Sequence, residues 1–409
     1  MGSAPRRKDL FPLRERRIES ASPRLADQTG RCRRRRARLE VEPLDSRLLM
    51  ASGSLGIAQA AASTDVSARV AAALKPYLER NDFPGISVAI VTDGQVALAQ
   101  GYGVGNLATK APVEADTRFD IGSVTKTFTA LGVLLLYQES QGTSQPLNLD
   151  APIGQYLHNT SSFKLPTKWS RVTTRELLEM SSGIRQVNSS KPWQAQVQSI
   201  ARAPLLFAPG TKTSYSDTNF DLLGELIEQR TGEPYGAFIE DQILSPLEMS
   251  ETQELGQSAV VANQAVGYSA PGHGSWLKAQ VQNGAAMYAA AGIVSTATDM
   301  ATYMTALLSG RILDPATYQL MWTSPAYAGQ PPVASSRGLG WDNVIDTSSG
   351  PAVVKKNGRV PGYSSDLVLY PLTDSGVFIS FNTSHQGGGG SKGVSPMDVA
   401  ASVYEAALS

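Results

Sequence analysis

The sequence predicts an α+β fold: an antiparallel sheet built from N- and C-terminal strands, flanked by helices, plus a mostly helical subdomain. Three observations carry this. Alternating apolar segments at 86–91 and 95–102 flank Asp93-Gly94, a dipeptide that favours a two-residue hairpin turn. A second pair of such segments, 364–370 and 376–381, flanks Pro371-Leu-Thr-Asp-Ser375 near the other end. Between the two pairs the apolar spacing is helical, and one further helix is expected at each end to cover a face of the sheet.

Taken in order, residues 1–64 read as an appendage. They lack apolar periodicity and are rich in Arg and Ser. Asp65 is expected to cap a helix that places Val66, Val70, Ala73, Leu74 and Tyr77 on one face, ended by Pro84-Gly85. The first hairpin follows. A helical region then runs from about 123 to 310, with segments at 173–180, 220–231 and 297–308. The second hairpin and a glycine link at 387–390 lead to a last helix from Ser395-Pro396, with proline at its first position. Two parts result: residues 1–64, a basic and disordered targeting segment, and 65–409, one domain. Its sheet part lies at about 65–120 and 335–409, and its helical part at about 121–334.

Composition narrows the chemistry. The 409 residues are 42% hydrophobic and 18% charged, enough for a sizeable core without a staple. Cys32 is the one cysteine, which excludes internal disulfides and cysteine-based zinc or iron–sulfur sites. The histidines, His158, His273 and His385, are scattered and form no ligand-spaced pair, so no metal and no cofactor is expected. The one Gly-x-Ser-x-Gly string, at 389–393, falls in a glycine-rich link and not at a strand-to-helix elbow, and no Gly-x-x-x-x-Gly-Lys-Ser/Thr phosphate loop occurs. Residues 1–50 hold 14 Lys/Arg against 7 Asp/Glu, while the other 359 hold 22 against 29. The basic run Arg31-Cys32-Arg33-Arg34-Arg35-Arg36 alone would suit nucleic acid, but the acidic body argues against it as a partner. No run approaches the ~20 apolar residues that span a bilayer. The stretch 39–51 resembles an N-terminal sorting motif of exported planctomycete proteins, and an exported location is expected from it. Nothing in the sequence indicates an oligomeric state.

Ser-x-x-Lys occurs at Ser123, Ser161 and Ser275. Ser161 lies in a polar loop and Ser275 in a Gly/Pro-rich turn. Only Ser123 opens a long apolar helical stretch, with Lys126 one turn on along the same face. A hydroxyl there meets unpaired backbone N–H groups, and an amine beside it can take its proton, which makes a serine nucleophile that needs no histidine. A capping serine with a surface lysine is the bland alternative. Two further elements add chemistry. Tyr215 precedes a helix, where a phenol can point into a cleft and relay protons. Lys356-Asn357-Gly358 precedes a strand, where glycine permits close approach of substrate backbone and the ammonium can hold an anion.

The order Ser-x-x-Lys, Tyr-x-Asp, Lys-x-Gly resembles the penicillin-recognising serine hydrolases, which include class C β-lactamases, DD-peptidases and related esterases. The resemblance covers roughly residues 66–409 and extends to 177–184, 291–299 and 338–341. It implies an acyl-enzyme mechanism on an ester, D-amino-acid peptide or β-lactam carbonyl, with a small molecule or peptide as substrate. Ser123 is then the nucleophile, Lys126 with Tyr215 the base, and Tyr215 the proton donor to the leaving group. The backbone N–H groups of Ser123 and Arg359 form the oxyanion hole, while Asp217, Lys356 and Gly358 bind substrate. Three positions depart from the pattern. Asp217 stands in place of Asn and cannot donate an amide hydrogen, a loss that Asn219 is a candidate to make good. It also sets a negative charge beside any substrate carboxylate, which favours an esterase or peptidase over a β-lactamase. Met180 replaces His, a packing change, and Asn357 replaces Thr. The competing reading is a non-catalytic surface binding or sensor domain that keeps the fold.

Overall fold

A computed structural model describes residues 53–256, 260–269, 275–280, 283–323, 337–347, 350–384 and 395–408. Cys32, the arginine run, the sorting-like stretch 39–51, His273, His385 and the glycine link fall outside them. The first helix, α1, spans Gly53–Glu79. It starts well before Asp65, which is therefore interior and not the expected cap. The alanine-rich stretch ahead of Asp65 has the highest helix propensity of any residue type, so the helix propagates through it. Strands β1 (Gly85–Thr92), β2 (Gln95–Asn106) and the short β3 (Ala111–Pro112) follow. The β1–β2 turn has positive φ at both Asp93 and Gly94, the geometry anticipated for that dipeptide.

The middle of the chain is mostly helical. Strand β4 (Phe119–Asp120) enters a 3₁₀ turn at Gly122–Val124 and then helix α2 (Thr125–Ser140). Ser123 thus sits in the turn before the helix, not in its first α-turn. Helices α3 (Thr174–Leu178), α4 (Trp193–Ile200), α5 (Asp217–Thr231) and α6 (Tyr235–Ile239) come next. Short strands β5 (Gln253–Glu254), β6 (Tyr268–Ser269) and β7 (Leu277–Lys278) lead to α7 (Gly284–Ala291), β8 (Ile293–Ser295), α8 (Ala297–Leu308) and α9 (Pro315–Trp322). The chain closes with β9 (Asn343–Thr347), β10 (Gly350–Val360), β11 (Tyr363–Tyr370), β12 (Ser375–Phe381) and α10 (Pro396–Leu408).

The seven-stranded sheet has the order β3-β2-β1-β12-β11-β10-β9. The two terminal hairpins join where β1 pairs antiparallel with β12, Ile86 opposite Phe381 and Ile90 opposite Val377. The outer face carries Ile86, Val88, Ile90, Val377, Ile379 and Phe381, which pack on Val70, Leu74, Val399 and Val403 of α1 and α10. Ala89, Phe378 and Leu367 point to the inner face, into the larger core. Helix α8, rather than α2, lies along β1, β2 and β12 there. Helix α2 packs against α5, α6, α7 and α9, and every residue from Thr125 to Leu136 is buried. Its entry turn meets the sheet at β10 and β11.

Candidate active site

The site forms where the Ser123 turn presses on the edge of β10. Strand β9 pairs with β10 only as far as Lys355, so the β10 edge beyond it is open. Two glycines allow the approach. Gly122 has φ +51, and a Cβ there would stand 2.8 Å from the Arg359 nitrogen. A Cβ on Gly358 would stand 2.0 Å from the Ile121 carbonyl oxygen, a distance no side chain tolerates. Ser365 of β11 donates to that same carbonyl at 2.7 Å and ties the turn to the sheet. At the foot of the turn the buried Asp120 accepts from the Gly122 N–H at 2.9 Å. Burial pushes its carboxyl up to about 7, against the pull of that hydrogen bond.

The ladder alternation decides which backbone groups face Ser123. Val360 pairs with Tyr363 across the two-residue turn Pro361-Gly362, so Arg359, opposite Ser364, belongs to the intervening pair. Its N–H then points away from β11, to the open edge. Its side chain lies on the outer face with Asn357 and Lys355, while Lys356, Gly358 and Val360 face inward.

Three side chains converge on Ser123 from separate elements. Lys126, one turn along, donates to Ser123 Oγ at 3.1 Å, to Asp217 Oδ1 at 2.6 Å and to the Ala290 carbonyl at 2.8 Å. Tyr215 lies just ahead of α5, and its hydroxyl hydrogen-bonds directly to Ser123 Oγ. Lys356 reaches in from β10. Its ammonium lies 5.4 Å from the Tyr215 ring centre, while that of Lys126 lies at 4.8 Å. The Ala290 carbonyl is aimed at Lys126 by a strained backbone, since Tyr288 has φ +36 and ψ −136 inside α7. Ser123, Tyr215, Asp217, Gly358 and Arg359 line one cleft of about 490 Å³.

Burial and charge set the protonation states. Burial pushes the Lys126 ammonium toward losing its proton, but the Asp217 charge, then Tyr215, hold it well above its usual range. Asp217 is held below the usual carboxylate range, the Lys126 charge outweighing burial. Burial pushes the Tyr215 phenol up to about 12 against the pull of Lys126. These directions favour the ammonium form of Lys126 and the neutral phenol of Tyr215 at rest. Lys356 behaves oppositely. Burial draws it down to about 8 even though Asp342 opposes the fall, and the like charge of Lys126 assists it.

Of the residues singled out in the sequence, Ser123, Lys126, Tyr215, Asp217, Lys356, Gly358 and the Arg359 backbone come together. Ser161 is exposed, away from the cleft. Asp217 does more than line the cleft, because its carboxylate is the counter-ion of Lys126. Lys356 is only 1% exposed and gives its ammonium to Asp342 at 2.7 Å, so no free cation stands ready there for a substrate anion. Asn219 does not stand in for the missing amide. It accepts from Ser182 at 2.8 Å and is buried beside Met180. Met180 has φ +60, and its sulfur accepts from the Ser216 N–H at 3.4 Å, so it supports the Tyr215 segment as well as packing.

Sequence reasoning missed three residues. Gln186 accepts from the Asp217 N–H and donates to its Oδ2, each at 2.6 Å, and lines the cleft. Asp342 accepts from both Lys356 at 2.7 Å and Arg337 at 2.9 Å. Asp120 holds the turn. Gln186 and Asp342 sit in loops with no periodic pattern. Only their position close after the phrases at 177–184 and 338–341 could have marked them.

Comparison with known proteins identifies the family and the fold. A family profile described as Beta-lactamase matches residues 70–394. A β-lactamase of Pseudomonas fluorescens is 27% identical over 313 residues, covering 76% of this chain and 81% of that protein. Protein flp of Staphylococcus aureus (strain MW2) is 30% identical over 205 residues, 48% of this chain and 40% of that protein. The chain thus matches about two-fifths of the length of flp. Among solved structures, the octameric penicillin-binding protein homologue from Pyrococcus abyssi superposes with a TM-score of 0.68 at 25% identity, covering 84% of this chain and 77% of that one.

Proposed function

The chain belongs to the β-lactamase family, and from that premise we propose that it is a serine hydrolase working through an acyl-enzyme, with an ester or amide carbonyl as its preferred target. The observation that carries this reading is the direct contact of Ser123 Oγ with both the Tyr215 hydroxyl and the Lys126 ammonium. Ser123 attacks the carbonyl carbon. Its proton passes to Tyr215 as Tyr215 gives its own proton to the leaving oxygen or nitrogen, so no separate base is needed. Lys126 stays an ammonium, and its hydrogen bond to Ser123 Oγ stabilises the negative charge that gathers on that oxygen as its proton leaves. The N–H groups of Ser123 and Arg359 receive the oxyanion. Water then releases the acyl group by the reverse relay.

The preference for esters and amides rests on Asp217. Its charge faces the cleft, its side chain is 33% exposed, and Gln186 clamps it in place. A β-lactam or D-alanyl peptide brings a carboxylate into that neighbourhood. A fluorophosphonate is expected to label the protein at Ser123, and unchanged labelling of Ser123→Ala would end the assignment. A panel of a short acyl ester, a chromogenic cephalosporin and a D-Ala-D-Ala peptide tests the preference, with the ester expected to be turned over fastest. A site outside the cytoplasm is proposed from the stretch 39–51, and cell fractionation tests it.

A further inference from the structure

The two ammonium groups beside the Tyr215 ring differ in what they can still hold. All three hydrogens of Lys126 are engaged, by Ser123, Asp217 and Ala290. Lys356 donates, among the described residues, to Asp342 alone. It therefore has hydrogens to spare, and it faces Tyr215 on the inner side of β10. An ammonium placed so would attract a substrate carboxylate, but Asp342 already stands on it.

Asp342 is also fixed there. Its own N–H donates to the Lys355 carbonyl at 3.0 Å, which clips the segment to β10. Arg337 grips the same carboxylate oxygen at 2.9 Å. The preceding Trp341 is 2% exposed, and Gly340 (φ +86) lies against Lys126 and Ala130 of α2, where a Cβ would meet Ala130 at 2.5 Å. The backbone clip and the two cations on one oxygen hold the carboxylate at Lys356.

We propose that Asp342 is a specificity-determining residue: by occupying Lys356 it makes the site reject substrates with a carboxylate beside the reacting carbonyl and select neutral or cationic esters and amides. The inference rests on the acyl-enzyme reading above. A substrate anion approaching Lys356 meets Asp342 at that ammonium and Asp217 on the lining of the cleft, and like charges brought together at a binding site disfavour the partner that carries them. Removing the Asp342 charge leaves Lys356 and Arg337 without their shared anion, and a substrate carboxylate can then take its place.

The test compares phenyl acetate with 3-acetoxybenzoate from pH 5 to 6.5, well below the value of about 8 that Lys356 has beside Asp342, because losing the Asp342 charge lowers it further. The wild type is expected to favour the neutral ester in kcat/KM by ~10-fold or more. In Asp342→Asn the ratio falls toward one, chiefly through KM for the carboxylate ester, and Asp342→Asn/Lys356→Met loses that gain. A second arm needs no variant: 3-carboxyphenylboronic acid should inhibit the wild type less than phenylboronic acid. A wild type that prefers either carboxylate compound overturns the proposal, as does an unchanged ester ratio in a labelled Asp342→Asn. Fluorophosphonate labelling separates the two levels. Without Ser123 labelling the acyl-enzyme reading falls and this inference with it. With labelling intact and the ratio unmoved, only the role of Asp342 falls.

Discussion

Lys126 on α2 and Lys356 on β10 are both buried, both bonded to an aspartate and both close to the Tyr215 ring, yet burial loses at the first and prevails at the second. The difference lies in the partners. Lys126 has an aspartate that, among the described residues, no other cation shares, together with a carbonyl and a hydroxyl. Asp221, one turn on from Asp217, is pushed well above the carboxylate range by burial and then by the Asp217 charge, so Asp217 is the charged acid facing Lys126. Lys356 shares its aspartate with Arg337 and is repelled by Lys126. Residue type and burial are therefore poor guides to charge. How many acceptors a cation has, and whether it shares them, decides which lysine is a fixed charge and which one titrates near neutrality.

The comparison has meaning only if both lysines serve Ser123, and the largest expected effect tests that. Ser123→Ala should lower hydrolysis on the order of 10⁵–10⁶-fold and leave the fold intact, read by turnover and circular dichroism. Next comes the strand that carries Lys356. Gly358→Val forces a side chain against the Ile121 carbonyl, pushes the Ser123 turn off β10 and disturbs the oxyanion donors. Turnover should drop ~10²–10³-fold with KM changed far less. A normal kcat would mean that Arg359 is not an oxyanion donor.

Stability separates the lysines more directly. Asp217→Ala leaves a fully buried ammonium without a counter-charge and should cost on the order of 3–5 kcal/mol in urea unfolding. Asp342→Ala should cost clearly less, because Lys356 can shed its proton near neutrality. Equal losses would break the comparison. The smallest effect is in pH. Lys356 has a folded value of about 8 against the usual 10.5, so between those values the unfolded chain binds the extra proton and stability rises with pH. Lys126 is raised, so its contribution is complete below 10.5 and is lost only as pH climbs through its higher folded value. Thermal midpoints of the wild type between pH 8 and 10 should therefore show a rise that Lys356→Met flattens.

Much of the site was legible in the sequence because its chemistry is local. Ser123 and Lys126 are one helical turn apart, Tyr215 and Asp217 flank the start of α5, and Lys356, Gly358 and Arg359 lie along one strand. Each group is held by its own element, so spacing reveals it. The fold was legible for the same reason, since Asp93-Gly94 carries its own turn. Readings failed where a residue's neighbour is remote. Asp65 looked like a cap only because the alanine-rich stretch before it was taken as tail. Which helix covers the inner face of the sheet, α8, likewise depends on remote neighbours.

The sequence by itself determined the two hairpins, most of the helices, and which serine has a lysine one turn away on a buried helix. Hydrophobic period and turn chemistry are properties of short segments, so they can be read without knowing what packs against them. The tertiary structure alone decided the charges. Asp342 is far from Lys126 in the chain and close to Lys356 only through strand pairing, Gln186 reaches Asp217 from another loop, and the Ala290 carbonyl meets Lys126 through the bend at Tyr288. An ionisable group responds to everything within a few ångströms, and those neighbours are assembled only when α2, α5, α7 and the edge of β10 meet.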